Sequence, residues 1–361
     1  MALDVLMVCP YDVAVPGGVQ NQAMAMSREL VRRGYRVGLF SPGHQVDEAL
    51  VSEGIDHLVA GTVRSVAANG SNAPITLSYG QVRAASRRID LAANAVIHIH
   101  EPIAPVMAWP LLARHQRATV ATLHRSGVDR AYRVAGSVLQ RRLARLDAVC
   151  SVSEAARRTG QAAMGLESQV LFNGVDLHGI DVANAWTKTG PTVMFVGRDE
   201  PRKGRDVLLE AATLLPHTVT LWVTGHAPEG FESRGARVEF LGVIDEAEKA
   251  SRLRAADVLC APSLGGESFG IVLIEGLAAS CAVVASDIDG YRQALSGHGV
   301  LVPPSNPQVL AEALSLALRP DSVSREAGKT YAASWSVANL VTSYEAVYET
   351  ARSRFHHRVT A

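Results

Sequence analysis

No stretch of this chain comes near the roughly 18 uninterrupted apolar residues a helix needs to cross a bilayer, so no membrane-spanning helix is expected. Aromatic residues are scarce, at 5%, and the formal net charge is zero. Neither an aromatic stacking platform nor a basic nucleic-acid face follows from such a composition. The four cysteines, Cys9, Cys150, Cys260 and Cys281, lie far apart beside apolar neighbours. They lack the paired spacing of a zinc site or redox motif and read as buried, reduced thiols. Met1 to Pro10 shows no basic segment leading into an apolar run and a small-residue cleavage site. The expectation is a cytoplasmic protein, either soluble or peripheral on the cytoplasmic face of the plasma membrane.

What is present is a length of 361 residues and 48% hydrophobic content, enough for two buried cores. Short runs rich in Val, Ile and Leu alternate with longer stretches of helical periodicity, the pattern of an α/β fold with parallel strands and crossover helices. The front half places strands at Asp4 to Cys9, Arg36 to Phe40, Ala95 to His100, Thr119 to Leu123, Ala148 to Val152 and Gln169 to Leu171. Gln20 to Arg33 is its clearest helix, closed by Gly34 in the left-handed position that ends many helices. Between Asp176 and Pro191 the periodicity fades into a polar connection, which bounds a first domain at 1–176. Strands then resume at Thr192 to Val196, Thr218 to Val223, Val238 to Phe240, Val258 to Ala261, Ala282 to Ala285 and Gly299 to Val302. A second Rossmann-like domain at 191–337 follows, and a terminal helix at 338–361 is expected to pack back across both. Charge is unequal along the chain: 18 Arg stand against 14 acidic residues through Asp176, and 17 basic against 21 acidic afterwards.

Three loops carry the chemistry. In PYDVAVPGGVQ, Gly17 and Gly18 precede a helix whose N-terminal N–H groups suit a diphosphate, although a tight turn calls for glycine on steric grounds alone. FVGRDEPRKG sets Arg198, Arg202 and Lys203 in one loop after a strand, where cations can neutralise a departing diphosphate or simply be solvated. LGGESFGIVLIE holds Glu267 and Glu275 eight positions apart, with glycines that let backbone amides reach a sugar or phosphate. Paired carboxylates also suit glycoside hydrolysis, but the neighbouring cationic loop argues against it. His124 follows a strand directly and is either a cleft residue or a structural one. His98 and His100 share a strand face with Glu101 opposed, giving His98 a structural role and His100 and Glu101 a cleft-lining one. The Asp287 and Asp289 pair in SDID is not assigned a metal.

Together the runs MVCPYDVAVPGGVQ, HIHEP, VATLH, NGVD, FVGRDEPRKG, DVLCAPSLGGESFGIVLIE and VVASDIDGYRQAL resemble the retaining GT-B glycosyltransferases of family four over nearly the whole chain. Within that family the likeness is to enzymes that move mannose from GDP-mannose to phosphatidylinositol. The resemblance implies two Rossmann-like domains facing across a cleft, with GDP-mannose as co-substrate, no tightly bound cofactor and no metal. It implies that Gly17 and Gly18 approach the donor diphosphate and that Arg198 and Lys203 hold it. Glu267 would bind the transferred sugar, Glu275 the ribose, and backbone around Ser268, Phe269, Gly270 and Ile271 the diphosphate and sugar. His124 would sit at the sugar, so His124, Arg198, Lys203 and Glu267 form the implied catalytic set. Tyr11, Gln20 and Asn21 would face the acceptor, and Tyr79, Arg83, Arg87 and Arg88 an anionic inner-leaflet phospholipid. That basic segment, Pro74 to Leu91, is less basic than the family leads one to expect. Arg130, Arg133 and Arg141 are further contributors, at about 1 kcal/mol per cation near an anionic leaflet. A transferase with another donor or a soluble acceptor, a phosphorylase, and a non-catalytic nucleotide-sugar-binding protein are the competing readings. No nucleic acid is expected as a partner.

Overall fold

The run LDVLMV forms β1 (Leu3–Val8), an interior strand of a parallel sheet, and its apolar side chains are buried on both faces. The structure, a computed structural model, describes residues 2–360 apart from 69–70, 105, 115, 128–129, 268 and 320–323. Alternation sends Val5 and Met7 to one face, against Val37, Leu39 and the helix residues Ala23, Met26 and Leu30. Leu6 and Val8 go to the other, against Phe40, Ile97 and Ile99. The sheet comprises β1, β2 (Val37–Ser41), β3 (Ile55–Val59), β6 (Leu91–His100), β7 (Ala118–Leu123), β8 (Ala148–Ser151) and β9 (Gln169–Val170). Their order is β3-β2-β1-β6-β7-β8-β9. An antiparallel hairpin of β4 (Val63–Ala68) and β5 (Ser71–Thr76) stands apart from it.

The second sheet repeats the plan with β10 (Thr192–Phe195), β11 (Thr220–Val223), β12 (Arg237–Phe240), β13 (Val258–Ala261), β14 (Ala282–Ser286) and β15 (Val300–Val302). It is parallel throughout, in the order β12-β11-β10-β13-β14-β15. In both sheets the strand order reverses beside the first strand, between β1 and β6 and between β10 and β13. Loops leaving the carboxyl ends of those strands flank the crevice where open α/β sheets take ligands. The three loops singled out by sequence leave β1, β10 and β13, and His124 follows β7.

The chain divides into two compact units, Met1–Gly174 with Val337–Ala361, and Val175–Ser336. The first helix runs Gly18–Arg32 and is followed by Gly34 at φ +88°. The polar stretch expected as a connection belongs to the second unit. Its helix Leu177–Val182 packs on helices Glu246–Ala255 and Ile271–Ala278, and Lys188 pairs with Asp257 at 2.6 Å. The terminal helix, Val337–Thr360, lays Leu340, Val341, Tyr344, Val347 and Tyr348 into the core of the first unit beside Val5 and Met7. Arg33 ties it down through Glu345 at 2.6 Å. Strand β3 and the hairpin were not expected. The segment 74–91 is mostly not helical: only Tyr79–Ser86 forms a helix, and Ile75 is buried.

Candidate active site

In the second unit, the loop after β10 is pinned at its start. Thr224 Oγ1 accepts from the Gly197 amide at 2.9 Å and donates to the Gly197 carbonyl at 2.8 Å. The chain then makes one 3-10 turn, Pro201–Lys203, and leaves through Gly204 at φ +71°. A Cβ at Gly204 would lie 1.9 Å from the Pro262 carbonyl oxygen, so only glycine lets this loop abut the one after β13. The Leu264 amide donates to the Arg202 carbonyl at 2.8 Å and completes the junction.

That junction brings the charges together. Arg202 and Lys203 both donate to Oε1 of Glu267, at 2.5 and 2.6 Å. Glu200 bridges Arg202 at 2.7 Å and the exposed Arg198 at 3.1 Å. Three cations against two carboxylates leave the cluster one positive charge in excess, beyond the carboxyl ends of β10 and β13. Glu275 belongs to a different cluster, with Lys249 at 3.0 Å, which also holds Glu246 at 2.6 Å. Burial works against the Lys249 ammonium, but Glu275 and Glu246 outweigh it and hold its pKa above the ordinary lysine range. The two glutamates expected to have separate jobs therefore have separate cation partners.

The helix Ile271–Ala278 starts at Gly270, φ +90°, with no side-chain cap. A Cβ there would strike the Tyr291 ring at 2.5 Å, and Tyr291 is fixed by a 2.8 Å hydrogen bond with Ser263. Uncapped N–H groups at this start are oriented for an anion. Phe269 points its ring into the core against Trp335, so its side chain has no part in a site and only its backbone is near one. Ser268 lies outside the described residues.

In the first unit, Gly17 precedes the helix Gly18–Arg32 in extended backbone, again without a side-chain cap. Its hydrogen faces the Gln20 amide, where a Cβ would meet Oε1 at 2.5 Å. Gly18 differs: it is exposed, and a Cβ there meets no protein atom within 4 Å. The steric explanation that covers Gly17 does not cover Gly18. Gln20, expected to face the acceptor, is buried and donates to the Val15 carbonyl at 3.1 Å, bracing the loop. Asn21 is exposed, and Tyr11 is half-buried. Tyr79, Arg83, Arg87 and Arg88 are exposed on or just after their helix.

The histidines of β6 and the one just after β7 are buried. His98 uses Nδ1 toward Tyr348 Oη at 2.8 Å and Nε2 toward Thr122 Oγ1 at 2.7 Å, which fits the structural role expected of it. His100 stacks on His98 with ring centroids 4.7 Å apart, and its Nδ1 lies 2.8 Å from His124 Nε2. His100, expected to line the crevice, is thus fully enclosed. Glu101 adopts φ +49° and accepts from the His124 amide at 3.0 Å. Burial raises its pKa. Burial and the neighbouring His100 hold His124 well below the ordinary histidine value, so it is neutral at pH 7. Asp287 and Asp289 are both paired with Arg292, at 2.5 and 2.8 Å. Among the described residues no cluster of three or more His, Cys, Asp or Glu side chains is arranged to hold a metal ion. All four cysteines are free and buried, and burial pushes Cys9, Cys150 and Cys281 up to about 12. Glu200 and Lys249 were not singled out in the sequence. Glu200 offered the signal of lying between Arg198 and Arg202, whereas Lys249 stands 26 positions before Glu275 and offered none.

Two Rossmann-like units, each with glycine-containing loops at its switch point, are the architecture of GT-B glycosyltransferases. Residues 16–178 match the Glycosyltransferase Family 4 domain, and residues 190–319 the domain of Glycosyl transferases group 1. The chain is 36% identical to the phosphatidyl-myo-inositol mannosyltransferase of Mycolicibacterium smegmatis, over 94% of this chain and 93% of that one. It is 33% identical to the enzyme of that name from Propionibacterium freudenreichii, over 92% and 91% of the two chains. An Anabaena protein solved with UDP-glucose, HepE, shares the fold at a TM-score of 0.73 and 18% identity, over 96% of this chain and all of that one (100%). The chain belongs to the GT-B glycosyltransferase family that includes these mannosyltransferases, and it is an enzyme of glycosyl transfer.

Proposed function

We propose that the enzyme transfers mannose from GDP-mannose to the inositol of phosphatidylinositol with retention of anomeric configuration. The observation that carries the reading is the ion cluster at the junction of the loops after β10 and β13. Arg198 is exposed and Lys203 half-buried, so together they can meet the charge that builds on a departing diphosphate. Glu267, fixed through one oxygen by two cations, is a rigid acceptor for sugar hydroxyls. Glu275 beside Lys249 suits a ribose hydroxyl. Gly18 leaves room for the diphosphate at an uncapped helix start. In this reading no covalent nucleophile is needed: the donor phosphate takes the acceptor proton as the glycosidic bond breaks, and the protein supplies orientation and charge.

The acceptor and membrane side falls to the first unit. The helix Arg130–Leu143 exposes Val134 and Val138, at 57% and 75%, between the exposed Arg133, Arg141 and Arg142. The Arg130 side chain lies outside the described ones. Apolar side chains among cations suit the surface of an anionic leaflet, as do Leu77, Tyr79, Arg83, Arg87 and Arg88. The named relatives, both mannosyltransferases of phosphatidyl-myo-inositol, support the choice of donor sugar and acceptor.

The test is nucleoside diphosphate release from GDP-mannose, UDP-glucose and UDP-N-acetylglucosamine, each with and without phosphatidylinositol vesicles. GDP release that requires vesicles and yields a mannosylated lipid is expected. Turnover without lipid, or preference for a uridine donor, overturns the substrate assignment. Glu267→Gln and Lys203→Ala are each expected to lower kcat by about 100-fold, with circular dichroism unchanged.

A further inference from the structure

Met7, His100 and His124 come from neighbouring strands, on β1, at the end of β6 and just after β7, and their side chains form one chain of contacts. Met7 Sδ lies 3.0 Å from His100 Nε2, and both residues are fully buried. A thioether sulfur only accepts, so the hydrogen of the neutral His100 ring belongs on Nε2. Its Nδ1 is then a bare acceptor, and 2.8 Å away it faces His124 Nε2. That nitrogen must carry the hydrogen of the His124 ring. The neutral His124 ring has one hydrogen, so Nδ1 is left bare. Among the described residues nothing hydrogen-bonds His124 Nδ1, and His124 keeps 8% of its surface exposed. The Glu101 carboxylate, holding the His124 amide, fixes where the ring stands.

We propose that Met7 and His100 are positioning residues: they lock His124 in the tautomer with a bare Nδ1, so it meets the transferred sugar as an acceptor from a hydroxyl. A bare ring nitrogen repels a phosphate oxygen, whose lone pairs it would face, and it cannot protonate a leaving group. His124 therefore reads the sugar, and the diphosphate is left to Arg198 and Lys203. The identity of the ligand as a sugar rests on the transferase reading above. The tautomer does not.

Two measurements test this. Long-range 1H–15N spectra of the ligand-free protein, with His124 assigned by its loss in His124→Gln, are expected to show Nε2 protonated and Nδ1 bare. A protonated Nδ1 overturns the proposal without any assay of activity. In Met7→Leu, the His100 hydrogen loses its acceptor and the His124 tautomer is expected to shift toward Nδ1–H. The kinetic arm compares His100→Asn, whose amide oxygen replaces the Nδ1 acceptor, with His100→Leu, which has none. His100→Asn is expected to stay within about threefold of wild-type kcat and His100→Leu to fall about tenfold, the worth of one such hydrogen bond. Equal kcat in the two variants overturns the positioning role, since a purely structural residue would not be rescued by the acceptor. Absence of wild-type turnover with every sugar donor overturns the transferase reading, and with it the sugar as the partner of His124, while the spectra still decide the tautomer.

Discussion

Gly18 and Gly17 are adjacent and chemically identical, yet the surroundings give them different reasons to be glycine. At Gly17 a methyl group would collide with Gln20; at Gly18 it would meet only open space, in backbone that any residue adopts. Gly18→Ala should therefore leave the thermal midpoint within about 2 °C of wild type while raising the donor KM by about tenfold, because under the proposed function the methyl would stand where the diphosphate approaches the helix start. An unchanged KM would return Gly18 to the ordinary turn glycines. The buried histidines make a second prediction at this scale. Burial, then the neighbouring rings, hold His98 and His124 well below 6.5, and burial alone brings His100 to about 3. Each ring is neutral when folded and takes a proton when unfolded in acid. Their contribution is complete above the ordinary value of 6.5 and is lost as pH falls below it, for His100 down to about 3. Glu101 and Asp147, whose pKa values burial raises, act in the opposite sense, two groups against four once His57, also lowered by burial, is counted. The thermal midpoint should fall between pH 7 and pH 5, and His98→Gln should reduce that fall. Arg198, Lys203, Glu267 and Glu275 could be picked out in the sequence as candidates because charges rarely crowd glycine-rich segments that follow apolar strands. Their partners could not: Glu200 looks like a solvated charge among arginines, and Lys249 sits in a helix whose Glu and Lys residues read as an exposed face.

At the scale of elements, the site depends on one loop lying against another, and Gly204 is the point of closest approach. An alanine there suffers twice, from φ +71° and from a Cβ 1.9 Å from Pro262 O. Gly204→Ala should lower the thermal midpoint by several degrees, as about 1 to 3 kcal/mol of strain requires. It should also cut turnover more than it cuts stability, because Lys203 and Glu267 separate when the loops part. Proportionate loss of both would mean the junction has only a structural role. The same contrast explains which elements could be read in advance. Strands of a parallel sheet buried on both faces are continuous apolar runs, so segments such as TVMF in β10 and VLCA in β13 announce themselves. The hairpin β4–β5 does not, since VRSVAA and SNAPIT mix small, polar and proline residues with little alternation. The short helix Leu177–Val182 is hidden for a different reason: only two turns long, it offers too few positions for a 3.6-residue period to show.

For the molecule as a whole, the division of charge is sharper between the units than along the sequence. The first unit carries 21 basic and 15 acidic residues, and the second 14 and 20, giving +6 and −6 with histidines neutral. The terminal helix contributes to this, because it returns Arg352, Arg354 and Arg358 to the already basic first unit. Under the proposed lipid-facing role, a net charge of that size would attract the first unit to an anionic surface, and the exposed Val134 and Val138 would offer an apolar contact there. The two contributions respond differently to salt. Cations near a leaflet add about 1 kcal/mol each within a Debye length, which shrinks from roughly 10 Å at 0.1 M salt to about 3 Å at 1 M. Vesicles containing phosphatidylinositol should therefore sediment the protein at 0.1 M salt and release most of it at 1 M. Arg133→Glu with Arg141→Glu should weaken binding at low salt, and Val134→Ser with Val138→Ser should weaken it at both concentrations. Equal binding to neutral and anionic vesicles would show that the excess charge of the first unit serves something other than a lipid surface.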